Sequence, residues 1–259
     1  MVATSRSSWA NITGRTYAQT WYTDPNLILD TAQPMWPEKS GGSHATCRTG
    51  AYDNEWKNWA ATINATRNPI ITRLGWEMNG DWFEWSAHNP ADYIACFQRI
   101  VTAVRSVAPG AVFEWNINGG WSQTCGGDAL NCYPGDAFVD IISVDYYDQW
   151  PPSRTDAEFT TKAEGKGGIT WIWNFAVARN KRFGVGEWGV VTTGGQPGGD
   201  NPVFVDNMQR WFRDHVGRTR DRWLYEAYFN ISYEVGSALI NPTLNPRSAD
   251  AYVACRFCR

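Results

Sequence analysis

One repeating order constrains this chain more than anything else: a short β-type run, a polar loop, then a helical pattern, over 259 residues. The β-type runs are Val2–Thr4, Thr16–Trp21, Asn26–Leu29, Ile70–Leu74, Val112–Trp115, Val139–Val144, Phe183–Val185 and Trp223–Tyr228. Strands separated by helices pair in parallel, because the helix returns the chain to the starting edge. Eight such units in roughly 250 residues close into a barrel. The alternative, an open doubly wound sheet, usually carries a Gly-rich phosphate turn after its first strand, and none is present. The expected fold is α/β, a single (β/α)8 TIM barrel occupying residues 1–259 as one domain.

The helices have clear boundaries. Asn89-Pro90 reads as an N-cap followed by proline in the first turn. Ile94, Phe97, Val101 and Val104 then share one face, and Pro109-Gly110 stops the helix before the next strand. Asn201-Pro202 opens another helix with Phe204, Met208 and Trp211 on one side. Further helices are expected over Ile169–Arg179, Asp53–Ala65 and Ala249–Cys255.

Net charge is −3 and no basic block stands out, which argues against a nucleic-acid partner or an anionic membrane. No apolar stretch reaches the ~20 residues of a spanning helix. Six cysteines are present. Cys96 falls on a helix pattern and reads as a free buried thiol. Cys125 and Cys132 bracket a Gly-rich loop, and Cys255-x-x-Cys258 lies near the C-terminus; local pairs of this kind suit disulfides and an oxidising compartment. Met1–Arg6 lacks the apolar run of a signal peptide. The expectation is a secreted protein whose signal peptide lies outside this sequence. His44, His88 and His215 are scattered without ligand spacing, so no metal site and no cofactor is expected.

Sixteen tryptophans are more than a core of this size needs, since each buried indole N–H wants a partner. A cleft whose aromatic faces stack on sugar rings would use the surplus. In a barrel, chemistry gathers at the C-terminal strand ends. Those ends read Arg73-Leu-Gly-Trp76-Glu77-Met-Asn79-Gly-Asp-Trp82-Phe83-Glu84-Trp85, then Glu114-Trp115-Asn116, Asp145-Tyr146-Tyr147-Asp148, Glu187-Trp188 and Glu226-Ala-Tyr228. Glu77 and Glu187 each closely follow an apolar strand and stand among Gly and Trp. Two such carboxylates are what glycoside hydrolysis requires, one protonated to donate to the leaving oxygen and one ionised to attack the anomeric carbon.

The segment Arg73-(x)3-Glu77-Met-Asn-Gly-Asp-Trp-Phe-Glu-Trp resembles the acid/base motif of glycoside hydrolase family 26, which holds the β-mannanases among retaining (β/α)8 enzymes. Phe138-Val-Asp-Ile-Ile-Ser-Val-Asp145-Tyr-Tyr147-Asp resembles its sixth-strand segment. Lys181-Arg-Phe-Gly-Val-Gly-Glu187-Trp-Gly resembles its seventh strand. The resemblance implies Glu77 as acid/base and Glu187 as nucleophile. It implies Tyr147, or its neighbour Tyr146, as the hydrogen-bond donor to Glu187, and Arg73 as a pin from below. Trp82 and Phe83 would line the cleft, and Asn79 would fix the loop or touch sugar hydroxyls. Trp76, Trp82 and Trp85 would form an apolar wall beside Glu77, the setting that favours a protonated acid. Trp36, Trp121, Trp150, Trp188 and Tyr228 are further candidate sugar platforms. Glu114 is expected to partner an arginine inside the barrel, and Asp140 to cap or pair. The family usually has His directly before the acid/base, whereas this chain has Trp76.

The function this implies is a monomeric retaining endo-β-glycanase acting on a β-linked polysaccharide or oligosaccharide substrate, β-1,4-mannan first, with β-glucan or xylan as alternatives. A non-catalytic lectin-like barrel would keep the aromatic cleft without needing both glutamates. An aldolase- or isomerase-type barrel would want a strand-end lysine or a phosphate loop, and the sequence offers neither convincingly.

Overall fold

The structure is a computed structural model and describes residues 2–3, 6–14, 26–66, 68–218 and 222–254. It forms two compact units, Met1–Ile142 and Ser143–Arg259, with the boundary inside one strand. Both units are parallel α/β.

The first unit contains β1 (Val2–Ala3), α1 (Trp9–Thr13), β2 (Leu29–Gln33), α2 (His44–Cys47), α3 (Asp53–Ala65), β3 (Ile70–Leu74), α4 (Pro90–Arg105), β4 (Val112–Asn118) and the start of β5 (Ile141–Tyr147). β1 to β4 pair in chain order and in parallel, with Thr31 opposite Thr72 and Arg73 opposite Glu114. Asn89 caps α4 by accepting from the Asp92 N–H, and Pro90 occupies the first turn, as the sequence predicts. Tyr93, Cys96, Phe97, Ile100, Val101 and Val104 bury that helix's apolar face.

The second unit contains the rest of β5, α5 (Asp156–Glu164), α6 (Ile169–Ala178), β6 (Arg182–Gly189), α7 (Pro202–Arg218), β7 (Trp223–Tyr228) and α8 (Pro246–Val253). β5, β6 and β7 are neighbours in that order, and β6 and β7 run parallel. Thr155 opens α5 with a capping box, its hydroxyl accepting from the Glu158 N–H while the Glu158 carboxylate accepts from the Thr155 N–H. Phe204, Met208 and Trp211 are buried on α7.

The expected strands are present with modest shifts. β2 begins at Leu29, three residues later than the Asn26–Leu29 reading, and β4, β5 and β6 extend further towards their C-terminal ends. The reason is burial: parallel strands are covered on both faces, so polar residues such as Glu114, Asn116 and Asp145 continue a strand that an apolar run alone would end early. Thr16–Trp21 lies outside the described residues, as do Cys255 and Cys258.

One expectation is corrected. Cys96 is not a free thiol; it is joined to Cys47 by a disulfide that ties α2 to α4. The expected Cys125–Cys132 bridge is present. A link closing 49 residues restricts the unfolded chain by up to about 4 kcal/mol. Cys47→Ala is therefore expected to lower unfolding stability by a few kcal/mol in urea titrations, while Cys132→Ala, which opens a loop of 7 residues, costs less.

The same short helix carries a buried titratable group. His44 packs edge-on against Trp36 at 4.9 Å and Tyr93 at 5.3 Å. Burial, with Asp92 opposing it, pushes the imidazole down to about 4. The folded value lies below the unfolded one, so unfolding takes up a proton between about pH 6.5 and 4, and stability falls as pH falls through that window. The loss approaches the order of 3 kcal/mol at pH 4. Urea titrations at pH 7 and pH 4.5 should show a shallower acid loss in His44→Phe than in the native protein.

Candidate active site

β3 ends at Leu74, and the chain turns at once through Gly75 and Glu77, both in the left-handed region with φ of 56° and 50°. Glycine tolerates this freely, but a glutamate there is strained, so surrounding contacts must hold it. They do. The Glu77 N–H donates to Asn116 Oδ1 at 3.1 Å. Trp82 Nε1 donates to Glu77 Oε2 at 3.0 Å, and Asn118 Nδ2 donates to Oε1 at 2.6 Å. Glu77 as a whole is 8% exposed.

Asn79 is fully buried and stitches this turn to the end of β4. Its Oδ1 accepts from the Asn118 N–H at 2.8 Å, and its Nδ2 donates to the Asn118 carbonyl at 2.9 Å. Its own carbonyl accepts from Gln123 and Thr124 in the loop that follows. Of the two roles expected for Asn79, these contacts are those of fixing the loop.

Arg73 is fully enclosed one turn below, with Nε 3.8 Å from Asp30 Oδ2 and 4.0 Å from Glu114 Oε1. Glu114 thus has the arginine partner expected for it. Asp140 pairs with Arg105 at 2.8 Å and accepts from the Phe113 N–H at 2.7 Å. Glu84 is engaged elsewhere, accepting from the Lys39 N–H at 2.7 Å.

In the second unit, Glu187 lies near the end of β6, 8% exposed. Tyr147, the last residue of β5, donates its hydroxyl to Glu187 Oε2 at 2.8 Å. The choice left open between Tyr147 and Tyr146 falls to Tyr147. Tyr146 is buried on the helix side against Phe159 and Phe204, and burial raises its phenol well above the ordinary range. Asp148 is also buried, accepting from the Ser153 N–H and from Asn201 Nδ2, each at 2.7 Å. Burial raises its carboxyl above the usual carboxylate range.

The candidate aromatic platforms divide sharply. Trp82, Trp121 and Trp150 are exposed at 49%, 81% and 59%. Trp36 and Trp188 are each 1% exposed and cannot present a face to a sugar. Trp36 packs on His44 and Tyr52. Trp188 packs on Phe212 and Tyr228 while its indole N–H is taken by Glu226. Tyr228 is covered by Trp188 and Tyr252, and its hydroxyl donates to the Ser237 carbonyl. The expected wall beside Glu77 is also rearranged. Trp76 and Trp85 pack with Phe83 into one cluster at 4.5–4.9 Å, and Trp82 is the indole that meets the carboxylate.

Two contributors escaped the sequence reading. Asn118 follows Glu114 and Asn116 at the period of two that marks one strand face, and that alternation was the available signal. Lys162, on α5, donates to the carbonyls of Tyr147 and Gln149 at 2.9 and 2.7 Å, a contact that no local pattern announces.

Two parallel α/β units, each with an enclosed strand-end glutamate held by designed-in donors, define the kind of scaffold on which sugar-cleaving enzymes are built. The sequence model of Glycosyl hydrolase family 26 matches residues 39–164, the stretch that includes Glu77 and Tyr147. Endoglucanase H of Acetivibrio thermocellus is 30% identical over 225 residues, 84% of this chain and 21% of that protein. Mannan endo-1,4-beta-mannosidase of Bifidobacterium adolescentis is 30% identical over 118 residues, 39% of this chain and 11% of that protein. The chain therefore spans about a fifth or less of the length of these curated relatives. Among solved structures, the catalytic domain of the Bacillus sp. JAMB-750 GH26 endo-beta-1,4-mannanase has a TM-score of 0.62 at 18% identity, over 87% of this chain and 65% of that one. A modular endo-beta-1,4-mannanase from Cellulomonas fimi has a TM-score of 0.60 at 22% identity, over 89% and 54%. At these identities the structural likeness speaks for the fold.

Gly80 gives the site a direct test. A methyl group there would overlap the Trp82 ring, so only glycine lets the indole reach back to Glu77. Gly80→Ala is expected to displace Trp82 and shift the tryptophan fluorescence, with the far-UV circular dichroism unchanged.

Proposed function

We propose that this protein is a secreted, retaining endo-β-glycanase that cleaves a β-linked polysaccharide, β-1,4-mannan before others. The observation that carries the reading is the pairing of environments: Glu77 held by Trp82 and Asn118 at the end of β3, and Glu187 held by the Tyr147 hydroxyl on β6. The family match supports the chemistry, although it ends before Glu187. With the resemblance comes the (β/α)8 barrel as one domain. The two disulfides fit an oxidising compartment, and among the described residues no helix is long and apolar enough to cross a membrane.

In this mechanism Glu77 gives its proton to the glycosidic oxygen while Glu187 attacks the anomeric carbon. A glycosyl-enzyme forms and the leaving chain departs. Glu77 then takes a proton from water, which attacks the same carbon and frees Glu187. The Tyr147 hydroxyl orients the attacking carboxylate through its hydrogen bond to Oε2. The exposed rings of Trp82, Trp121 and Trp150 offer apolar faces to sugar C–H groups.

A second substrate has specific support. Of the two curated relatives described above, the one with the longer match is an endoglucanase, and Trp76 stands where mannanases of the family usually place His. β-Glucan therefore belongs beside mannan in the test.

The experiment is reducing-sugar release from soluble mannan, β-glucan and xylan, with Glu77→Gln and Glu187→Gln beside the native protein. Native release on one polysaccharide is expected, with a loss of 1000-fold or so in each variant if both carboxyls act in the chemistry. Release that persists in both variants overturns the assignment. Binding to polysaccharide in an affinity gel with no release by the native protein favours the lectin-like alternative.

A further inference from the structure

The proposed mechanism leaves the buried cation of Lys162 unused. Lys162 lies on α5, a helix anchored by Phe159 against Tyr146 and Phe204. Its ammonium sits beneath the end of β5, 5.2 Å from the centre of the Tyr146 ring. It donates to the Tyr147 carbonyl at 2.9 Å and to the Gln149 carbonyl at 2.7 Å, on either side of Asp148. Asp148 is bound in turn by Ser153 and Asn201, and its own N–H donates to the Gly189 carbonyl at the end of β6. The backbone from Tyr147 to Gln149 is thus fixed from below by a cation and from the side by β6. Tyr147 is the residue whose hydroxyl meets Glu187 at 2.8 Å.

A buried ammonium is costly, and burial pulls Lys162 down to about 8 against the favourable pull of Asp148. An apolar side chain of similar length would fill the same space without that cost. What it would not do is donate to two carbonyls at once.

We propose that Lys162 is a positioning residue for the nucleophile, setting through the carbonyls of Tyr147 and Gln149 the place where the Tyr147 hydroxyl meets Glu187. The inference rests on the reading of Glu187 as nucleophile. Lys162 touches neither substrate nor Glu187; it acts through Tyr147. Reaction geometry is sensitive at this scale, a displacement of about 1 Å costing as much as 100-fold in rate.

The test is a double-mutant cycle of Lys162→Met and Tyr147→Phe, read in kcat, KM and the rate at which a 2-deoxy-2-fluoro-glycosyl inactivator labels Glu187, followed by mass spectrometry. Lys162→Met is expected to lower kcat and the labelling rate 10- to 100-fold with KM within about twofold of native. The double variant should be no slower than Tyr147→Phe alone. Lys162→Gln, which keeps an N–H donor but not the charge, is carried alongside and should fall between native and Lys162→Met; it takes over the cycle if the methionine variant does not fold. Native labelling rates in folded Lys162 variants, or effects that multiply with Tyr147→Phe, overturn the proposal while leaving the function intact. A native protein that neither labels at Glu187 nor hydrolyses any glycan overturns the functional reading itself, and the role of Lys162 with it.

Discussion

The first unit is organised around a guanidinium that cannot shed its charge. Arg73 is fully enclosed on β3, and an enclosed cation must be met by carboxylates. Asp30 on β2 and Glu114 on β4 meet it from the two neighbouring strands. The register sets this up, with Ala32, Arg73 and Glu114 side by side across three strands. A one-residue slip of β3 would turn Arg73 to the helix side, where Thr72 now accepts the Trp59 indole N–H. The charge therefore fixes the register, and the register fixes everything beyond the strand end. Glu77 meets Asn116 and Asn118 because β4 runs on past the level at which β3 ends, alongside the turn that carries Glu77.

Alternation along the strands then divides the chemistry. On β4, Phe113, Trp115 and Ile117 alternate with Glu114, Asn116 and Asn118. Phe113 meets α4 through Phe97, while the other three point to the ionic and amide network. β5 does the same, with Tyr146 against α5 and Tyr147 against Glu187. β6 breaks the rule. Phe183 packs on Trp173 and Trp211, and Trp188 packs on Phe204 and Phe212, so both face helices although they are five residues apart. Strict alternation would put them on opposite faces. The pairing with β7 shifts between Val185 and Trp188, and that irregularity reverses the parity and frees Glu187 to face Tyr147.

These features explain which parts of the molecule were legible in the sequence. Helix starts are written in two or three adjacent residues, so the cap at Asn89-Pro90 and the start of α7 at Pro202 could be read directly. β3 and β7 are bounded by turns and were read to the residue. Glu77 and Glu187 stood out because both follow apolar runs, and family resemblance gave them roles. What failed was long-range pairing. Nothing near Cys96 points to Cys47, and nothing near Lys162 points to the carbonyls beneath Tyr147. The platforms at Trp36, Trp188 and Tyr228 failed for a related reason. A tryptophan three residues past a strand looks the same in sequence whether it ends in the core like Trp36 or in solvent like Trp121. Burial depends on which helix crosses above it, and period and composition do not carry that information.

The substitution at Trp76 follows the same logic of packing. An imidazole before the acid/base could both accept and donate a hydrogen bond, whereas an indole can only donate. Here the ring is 7% exposed, pressed between Phe83 and Trp85, and its carbonyl takes the Trp85 N–H. The position has become part of an aromatic cluster that braces the turn carrying Glu77. Polar contact with the Glu77 carboxylate comes instead from Trp82 and Asn118. On the proposed reading, discrimination between sugars that differ at one hydroxyl cannot rest on residue 76 as it does where histidine is present. Trp82 combines an exposed ring with a hydrogen bond to Glu77, so a sugar stacked on that ring would be registered directly against the proposed acid. Choice of sugar and placement of the proton are then coupled through a single side chain, which only Gly80 allows to lie where it does.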